Sequence, residues 1–77
     1  MASYHNFITS DHRVMLGKPT VRGTRLTVEL LLRKLAEGAT AKELTVMYPQ
    51  LLPEHIQAVL EYAAAVIARE EIINSAA

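Results

Sequence analysis

The 77-residue sequence predicts one mainly α domain, three helices preceded by a short N-terminal strand or hairpin region. Three observations lead there. Residues 1–26 are polar, β-branched and marked by Gly and Pro, whereas from Thr27 the apolar residues recur with the helical period of about 3.6. Helix-start and helix-stop residues then divide 27–74 into three segments. The length fits one domain spanning 1–77 and leaves no room for a second.

The strand region comes first. His5–Thr9 and Val14–Leu16 are the two strand candidates, separated by the turn-like cluster Ser10-Asp11-His12-Arg13. Gly17-Lys18-Pro19 interrupts the second run and Val21 can resume it. Pro19 lacks an N–H for the ladder, so a strand containing it must be an edge strand.

Thr27 has the right chemistry for an N-cap, and Gly38 stands where a C′ glycine belongs. Between them Val28, Leu31, Leu32, Leu35 and Ala36 share one helical face. Leu30 points the other way, among Arg33, Lys34 and Glu37, either as a lone exposed leucine or as a contact to a partner. The second helix, Ala41–Tyr48, opens with the capping box Thr40-Ala41-Lys42-Glu43, turns Leu44, Met47 and Tyr48 inward, and stops at Pro49. Pro49-Gln50-Leu51-Leu52 is a link short enough for a helix-turn-helix.

Pro53 opens the third helix at a position where its missing N–H costs nothing, and Glu54 suits the helix dipole. The helix can run to about Asn74. Its stripe of Ile56, Val59, Leu60, Ala63, Val66 and Ile67 should be buried as far as Ile67. Residues 70–77 form a tail that either frays or awaits a partner, with Ile72 and Ile73 favouring the partner.

Composition narrows the chemistry. Cysteine is absent, which removes disulfides, thiolate metal sites and a cysteine nucleophile. Apolar residues make up 51% of the chain, with eleven Ala and ten Leu, and mean hydropathy is +0.15. A globule this small hides such a surplus poorly, so a homodimer or higher homo-oligomer is expected. The longest apolar run, Tyr62–Ala68, is far shorter than the roughly 20 residues of a membrane span. With no signal-peptide pattern either, the sequence reads as soluble and cytoplasmic, with no membrane partner.

Net charge is zero but unevenly distributed. Residues 1–34 hold six bases (Arg13, Lys18, Arg22, Arg25, Arg33, Lys34) and two acids, and residues 35–77 hold two bases and six acids. The basic half suits a polyanion, or else the two halves complement each other within the fold or across a dimer.

Enzymatic readings find little support. Ser10, Asp11 and His12 are triad residue types, but adjacent residues do not converge on one reacting atom. His5, His12 and His55 lack the spacing of metal ligands, and no Gly-rich phosphate loop is present. No catalytic residue, metal or cofactor is therefore expected.

DNA binding is better supported. Lys18, Arg22 and Arg25 lie within eight residues, Gly17 and Gly23 permit close backbone approach, and Arg33 and Lys34 extend the patch. The alternative is that these cations pair with acids of the same fold. If the last helix entered a major groove, Glu54, His55, Gln57 and Ala58 would lead. Gln57 can read adenine and His55 can touch a phosphate, but no Arg is there to read guanine, and Glu54 and Glu61 repel the backbone. The basic N-terminal half is the stronger candidate. Thr24 and Thr27 read as caps, and Tyr48 and Tyr62 as core or interface residues.

The run from Gly17 to Val28, Gly-Lys-Pro-Thr-Val-Arg-Gly-Thr-Arg-Leu-Thr-Val, resembles the domain of unknown function 433 family, small bacterial proteins described as VapB-type antitoxins. The likeness continues through a Leu-rich helix ending in Glu37-Gly38, Thr40-x-x-Glu43-Leu44, Tyr48-Pro49, the segment Leu51 to Ile56, and Leu60-Glu61-Tyr62-Ala63-Ala64, covering about residues 8–68. Two positions depart from it. Leu16 stands where members often have Gly, so the turn is less permissive, and Leu52 stands where members often have Thr or Ser, losing an N-cap hydroxyl worth ~1 kcal/mol.

The resemblance implies a homeodomain-like three-helix fold with a helix-turn-helix. It also implies the antitoxin half of a type II toxin–antitoxin pair that neutralises a PIN-like ribonuclease and represses its own operon. Under that reading Leu30, Arg69, Ile72 and Ile73 are candidate partner-binding residues, and Arg69 is the tail's cation for the nuclease's acidic site. A small protein-interaction module without DNA contact is the alternative.

Overall fold

The fold is described from a computed structural model, which covers residues 4–74 and their side chains as far as Arg69. A two-stranded antiparallel hairpin, β1 (Ile8–Thr9) and β2 (Thr20–Val21), leads into three helices, α1 (Val28–Ala36), α2 (Ala41–Met47) and α3 (Pro53–Asn74). The mainly α class with an N-terminal hairpin is as the sequence predicts. Among the described residues no helix is long and apolar enough to cross a membrane.

The hairpin is where the strand reading needs correction. Tyr4–Asn6 form a 3-10 turn, so the first strand shrinks to Ile8–Thr9. The second strand is Thr20–Val21, with Ile8 opposite Val21, and not Val14–Leu16. Val14 closes only an isolated bridge to Asp11. Met15, Leu16 and Gly17 then take left-handed φ values of 51°, 58° and 85°, which breaks the extended run before Pro19. Two non-glycine residues in that region carry strain of about 1–2 kcal/mol each. Leu16 caps this turn with 91% of its surface exposed.

Helix ends follow their sequence signals closely. Thr27 Oγ1 accepts from the Leu30 N–H at 3.0 Å. At the other end of α1, Gly38 adopts φ +109°, its N–H donates to the Leu35 carbonyl, and the Ala39 N–H donates to the Lys34 carbonyl. That pair of bonds is the Schellman arrangement, and it satisfies carbonyls the helix leaves open. The α2 capping box is complete. Thr40 N–H donates to Glu43 Oε1 at 2.8 Å and Glu43 N–H donates to Thr40 Oγ1 at 3.0 Å.

The core joins the hairpin to all three helices through Ile8, Val21, Val28, Leu31, Leu44, Leu51, Ile56, Ala58 and Val59. Tyr4 and Phe7 seal it from the N-terminal side. The Tyr4 ring lies edge-on to Tyr62 at 5.6 Å, and Phe7 lies edge-on to His55 at 5.3 Å.

Four inward-facing assignments change, those of Met47, Ala36, Leu60 and Ile67, and the outward reading of Leu30 is modified. Met47 is 47% exposed, because α2 ends there and only Leu44 reaches the core. Ala36, at the end of α1, is exposed, and Leu30 is half-buried rather than projecting freely. On α3 the fully buried residues stop at Val59, not Ile67, and include Ala58 from outside the expected stripe. Leu60 and Ile67 are 45% and 61% exposed. Side chains from Leu60 to Ile67 are half-buried or exposed, and Val66 and Ile67 meet α1 only across an open groove. The helix continues to Asn74, for 22 residues and about 33 Å.

Candidate functional site

The segment Arg22-Gly23-Thr24-Arg25 forms the loop between β2 and α1, and it is held at both ends. The Arg22 N–H donates to the Phe7 carbonyl at 2.7 Å and the Val21 N–H to the Leu26 carbonyl at 2.9 Å. Thr24 acts as the internal tie. Its Oγ1 donates to the Val21 carbonyl at 2.8 Å and accepts from the Leu26 N–H at 3.0 Å. Gly23 sits at φ +82° within this turn, a conformation that favours glycine although a Cβ would meet no neighbour. The threonine was legible as a cap; its role in bracing the loop required the fold.

Arg22 and Arg25 come together on one groove of about 540 Å³, whose walls also include Thr9, Thr20 and Thr24. The Arg22 guanidinium is oriented by two carbonyls, donating from Nε to Asn6 at 3.3 Å and from Nη2 to His5 at 3.1 Å. Carbonyls position the guanidinium without neutralising it. Arg25 is exposed. Among the described residues neither arginine has a carboxylate within ion-pair distance. Asp11 borders the same groove, but Arg13 occupies it in a bidentate pair at 3.2 and 3.0 Å. The Arg13 hydrogen bonds hold the Asp11 carboxyl below its ordinary pKa, and the same pair raises that of Arg13.

The other predicted cations lie elsewhere. Lys18 and Arg33 share Glu29, at 3.3 and 2.9 Å. The Arg33 hydrogen bond, with a second from Lys18, lowers the Glu29 pKa. Lys34 borders a different groove beside Lys42, Val46 and Met47. The basic run of the sequence is thus divided over three surfaces. Among the described residues Arg22 and Arg25 meet without a carboxylate in ion-pair range, whereas Lys18 and Arg33 meet on Glu29.

At the start of α3, His55 acts within the helix. Its Nδ1 accepts from the Leu52 N–H at 2.9 Å, while the His55 N–H donates to the Leu52 carbonyl at 2.9 Å. Leu52 occupies the N-cap without a side-chain acceptor, and the residue three positions on replaces the returning half of a capping box. The hydroxyl missing at Leu52 is therefore partly compensated. The signal for this was present in the sequence, a ring nitrogen at the N3 position of a helix with an apolar N-cap. Gln57 and Glu54 are exposed on the same first turns. Arg69 is exposed near the far end of α3, and the side chains of Ile72 and Ile73 lie outside the described residues.

A family model described as "Protein of unknown function (DUF433)" matches residues 8–63. That span includes the hairpin, the arginine loop, α1, α2 and the buried part of α3. No curated protein and no solved structure matches the chain.

Proposed function

This chain belongs to the DUF433 family of proteins of unknown function, and from that premise we propose that it is a non-enzymatic antitoxin that also binds the DNA upstream of its own gene. One observation carries the DNA half. Arg22 and Arg25 stand on one groove, on a loop braced by Thr24, with no carboxylate in ion-pair range among the described residues. Fixed cations of this kind neutralise backbone phosphates and release condensed counterions. The surrounding threonine hydroxyls are suited to hydrogen-bonding phosphate oxygens. Gln57, exposed on the first turns of α3, is the candidate for base contact, since an amide can pair bidentately with adenine.

The antitoxin half rests on the sequence resemblance. Its partner would be a PIN-like ribonuclease, met by the helical C-terminal half, where Arg69 is an accessible cation. A protein-interaction module without DNA contact is the second reading, favoured by the apolar groove between α1 and α3.

The test is a fluorescence-anisotropy titration with duplex from upstream of the gene, at low and moderate salt, against a random duplex. Preference for the upstream duplex with a steep salt slope is expected. Arg22→Ala and Arg25→Ala should each weaken binding and flatten the log–log salt slope by about 0.9. Binding that ignores sequence, or that is unchanged in both variants, would refute the DNA reading and leave the interaction module.

A further inference from the structure

We infer that Tyr4 is a positioning residue for phosphate binding: it anchors the turn that aims the Arg22 guanidinium, whose free edge clamps one phosphate of a nucleic-acid backbone. The inference deepens the DNA reading and rests on it for the identity of the ligand.

Three consecutive carbonyls converge on one arginine. The Arg22 backbone N–H donates to Phe7 at 2.7 Å, its Nε to Asn6 at 3.3 Å and its Nη2 to His5 at 3.1 Å. A guanidinium carries five N–H donors in a rigid plane. The carbonyls take its side edge, one N–H each from Nε and Nη2. The end edge, one N–H each from Nη1 and Nη2, stays intact, and among the described residues no acceptor meets it. Two parallel N–H groups on one edge match two oxygens of a phosphate. Because Arg22 is already oriented, little side-chain freedom is left to lose on binding. Arg25, exposed on the same groove, adds charge without such a brace.

Packing on either side of the carbonyls holds them in place. On the C-terminal side Phe7 leads directly into β1, and its ring lies edge-on to His55 at 5.3 Å. On the N-terminal side the Phe7 N–H closes the turn on the Tyr4 carbonyl at 2.9 Å. The Tyr4 ring in turn lies edge-on to Tyr62 of α3 at 5.6 Å. His5 and Asn6 are exposed between these two half-buried rings. Strand pairing restrains Phe7 independently, through Ile8 opposite Val21. Loss of the Tyr4 ring therefore loosens the His5 and Asn6 carbonyls while the hairpin stays paired.

Anisotropy titrations with the upstream and the random duplex test this, together with NMR of the arginine Nε–H groups in the free protein. Arg22→Lys keeps the charge but has no fork, and should raise the dissociation constant about 10-fold on both duplexes with the salt slope unchanged. Tyr4→Ala should raise it about 5-fold on both, again with the slope unchanged, and should add nothing in the Arg22→Lys background. Tyr4→Phe keeps the ring and should bind as wild type. Thr40→Ala loses a helix cap, and with it a comparable amount of stability, and should also bind as wild type. Without DNA, the Arg22 Nε–H should be protected from solvent exchange in wild type and Tyr4→Phe, and unprotected in Tyr4→Ala. Wild-type binding by Tyr4→Ala or Arg22→Lys, failure of Tyr4→Phe to restore binding, or losses that add in the double variant would each overturn the inference while leaving the DNA reading standing. A loss confined to the upstream duplex would assign the fork to a base edge and overturn the phosphate clamp. Equal affinity for the two duplexes with the variant effects intact would remove the regulator reading and leave the clamp. Failure to bind either duplex would remove both.

Discussion

Replacing His55 by alanine removes two things at once. The Leu52 N–H loses the Nδ1 acceptor it meets at 2.9 Å, and Phe7 loses the ring that lies edge-on at 5.3 Å. An N-terminal capping bond is worth about 1 kcal/mol, and an edge-to-face aromatic contact adds ~0.5–1 kcal/mol. The expected loss is therefore roughly 1.5–2 kcal/mol. At about 4–8 °C per kcal/mol for a domain of this size, the melting temperature should fall by roughly 10 °C. His55→Glu separates the two contributions. A carboxylate at N3 can accept from the Leu52 N–H as in a capping box, while the ring contact is still lost. This variant should recover about half of the deficit. Thermal denaturation followed by circular dichroism reads both effects, and the upstream-DNA titration on the same proteins reads the competing role. If His55→Ala left the melting temperature unchanged but weakened DNA binding, His55 would be a phosphate contact and the capping argument would be wrong.

Two further outcomes follow from the strained turn and the exposed ion pairs. Leu16→Gly should stabilise the protein by about 0.5–1 kcal/mol, since glycine removes the left-handed strain and offsets only part of that gain with greater unfolded-state entropy. Leu16 is 91% exposed and gives up little packing, so an unchanged or lower melting temperature would count against stored strain at this turn. Glu29, whose pKa is lowered by Arg33 and then Lys18, stabilises the fold above the unfolded carboxylate pKa of about 4.3 and loses that contribution as pH falls through its lower folded value. Glu29→Gln should therefore be less stable than wild type near neutral pH and converge with it in strong acid, by thermal melts across a pH series. A constant gap down to the lowest pH would show that the substitution acts through something other than the ion pairs.

Local signals were the legible part of the sequence. Thr27, the Thr40–Glu43 box, Gly38 and Pro53 act within a turn of their own positions, so each could be assigned from neighbouring residues alone. The hairpin was legible as a motif, but its second strand was not. Val14–Leu16 has strand-like composition, yet three successive left-handed residues turn the chain before Thr20 can pair with Thr9. The arginine loop was visible as a cluster of charge. Which cations remain available depended on Glu29, eleven residues from Lys18 and one turn from Arg33.

The sequence by itself determined the number of helices and, to within a residue or two, their starts and stops, because these rest on hydrogen bonds and periodicities spanning a few residues. Tertiary structure alone decided how far α3 is covered, since burial of Leu60 and Ile67 depends on what packs against them and not on the helical period those residues share with Ile56 and Val59. It also divided one run of positive charge into an internally paired rim and an accessible loop. Pairing distances are set by the chain's path through space, which residue spacing does not specify.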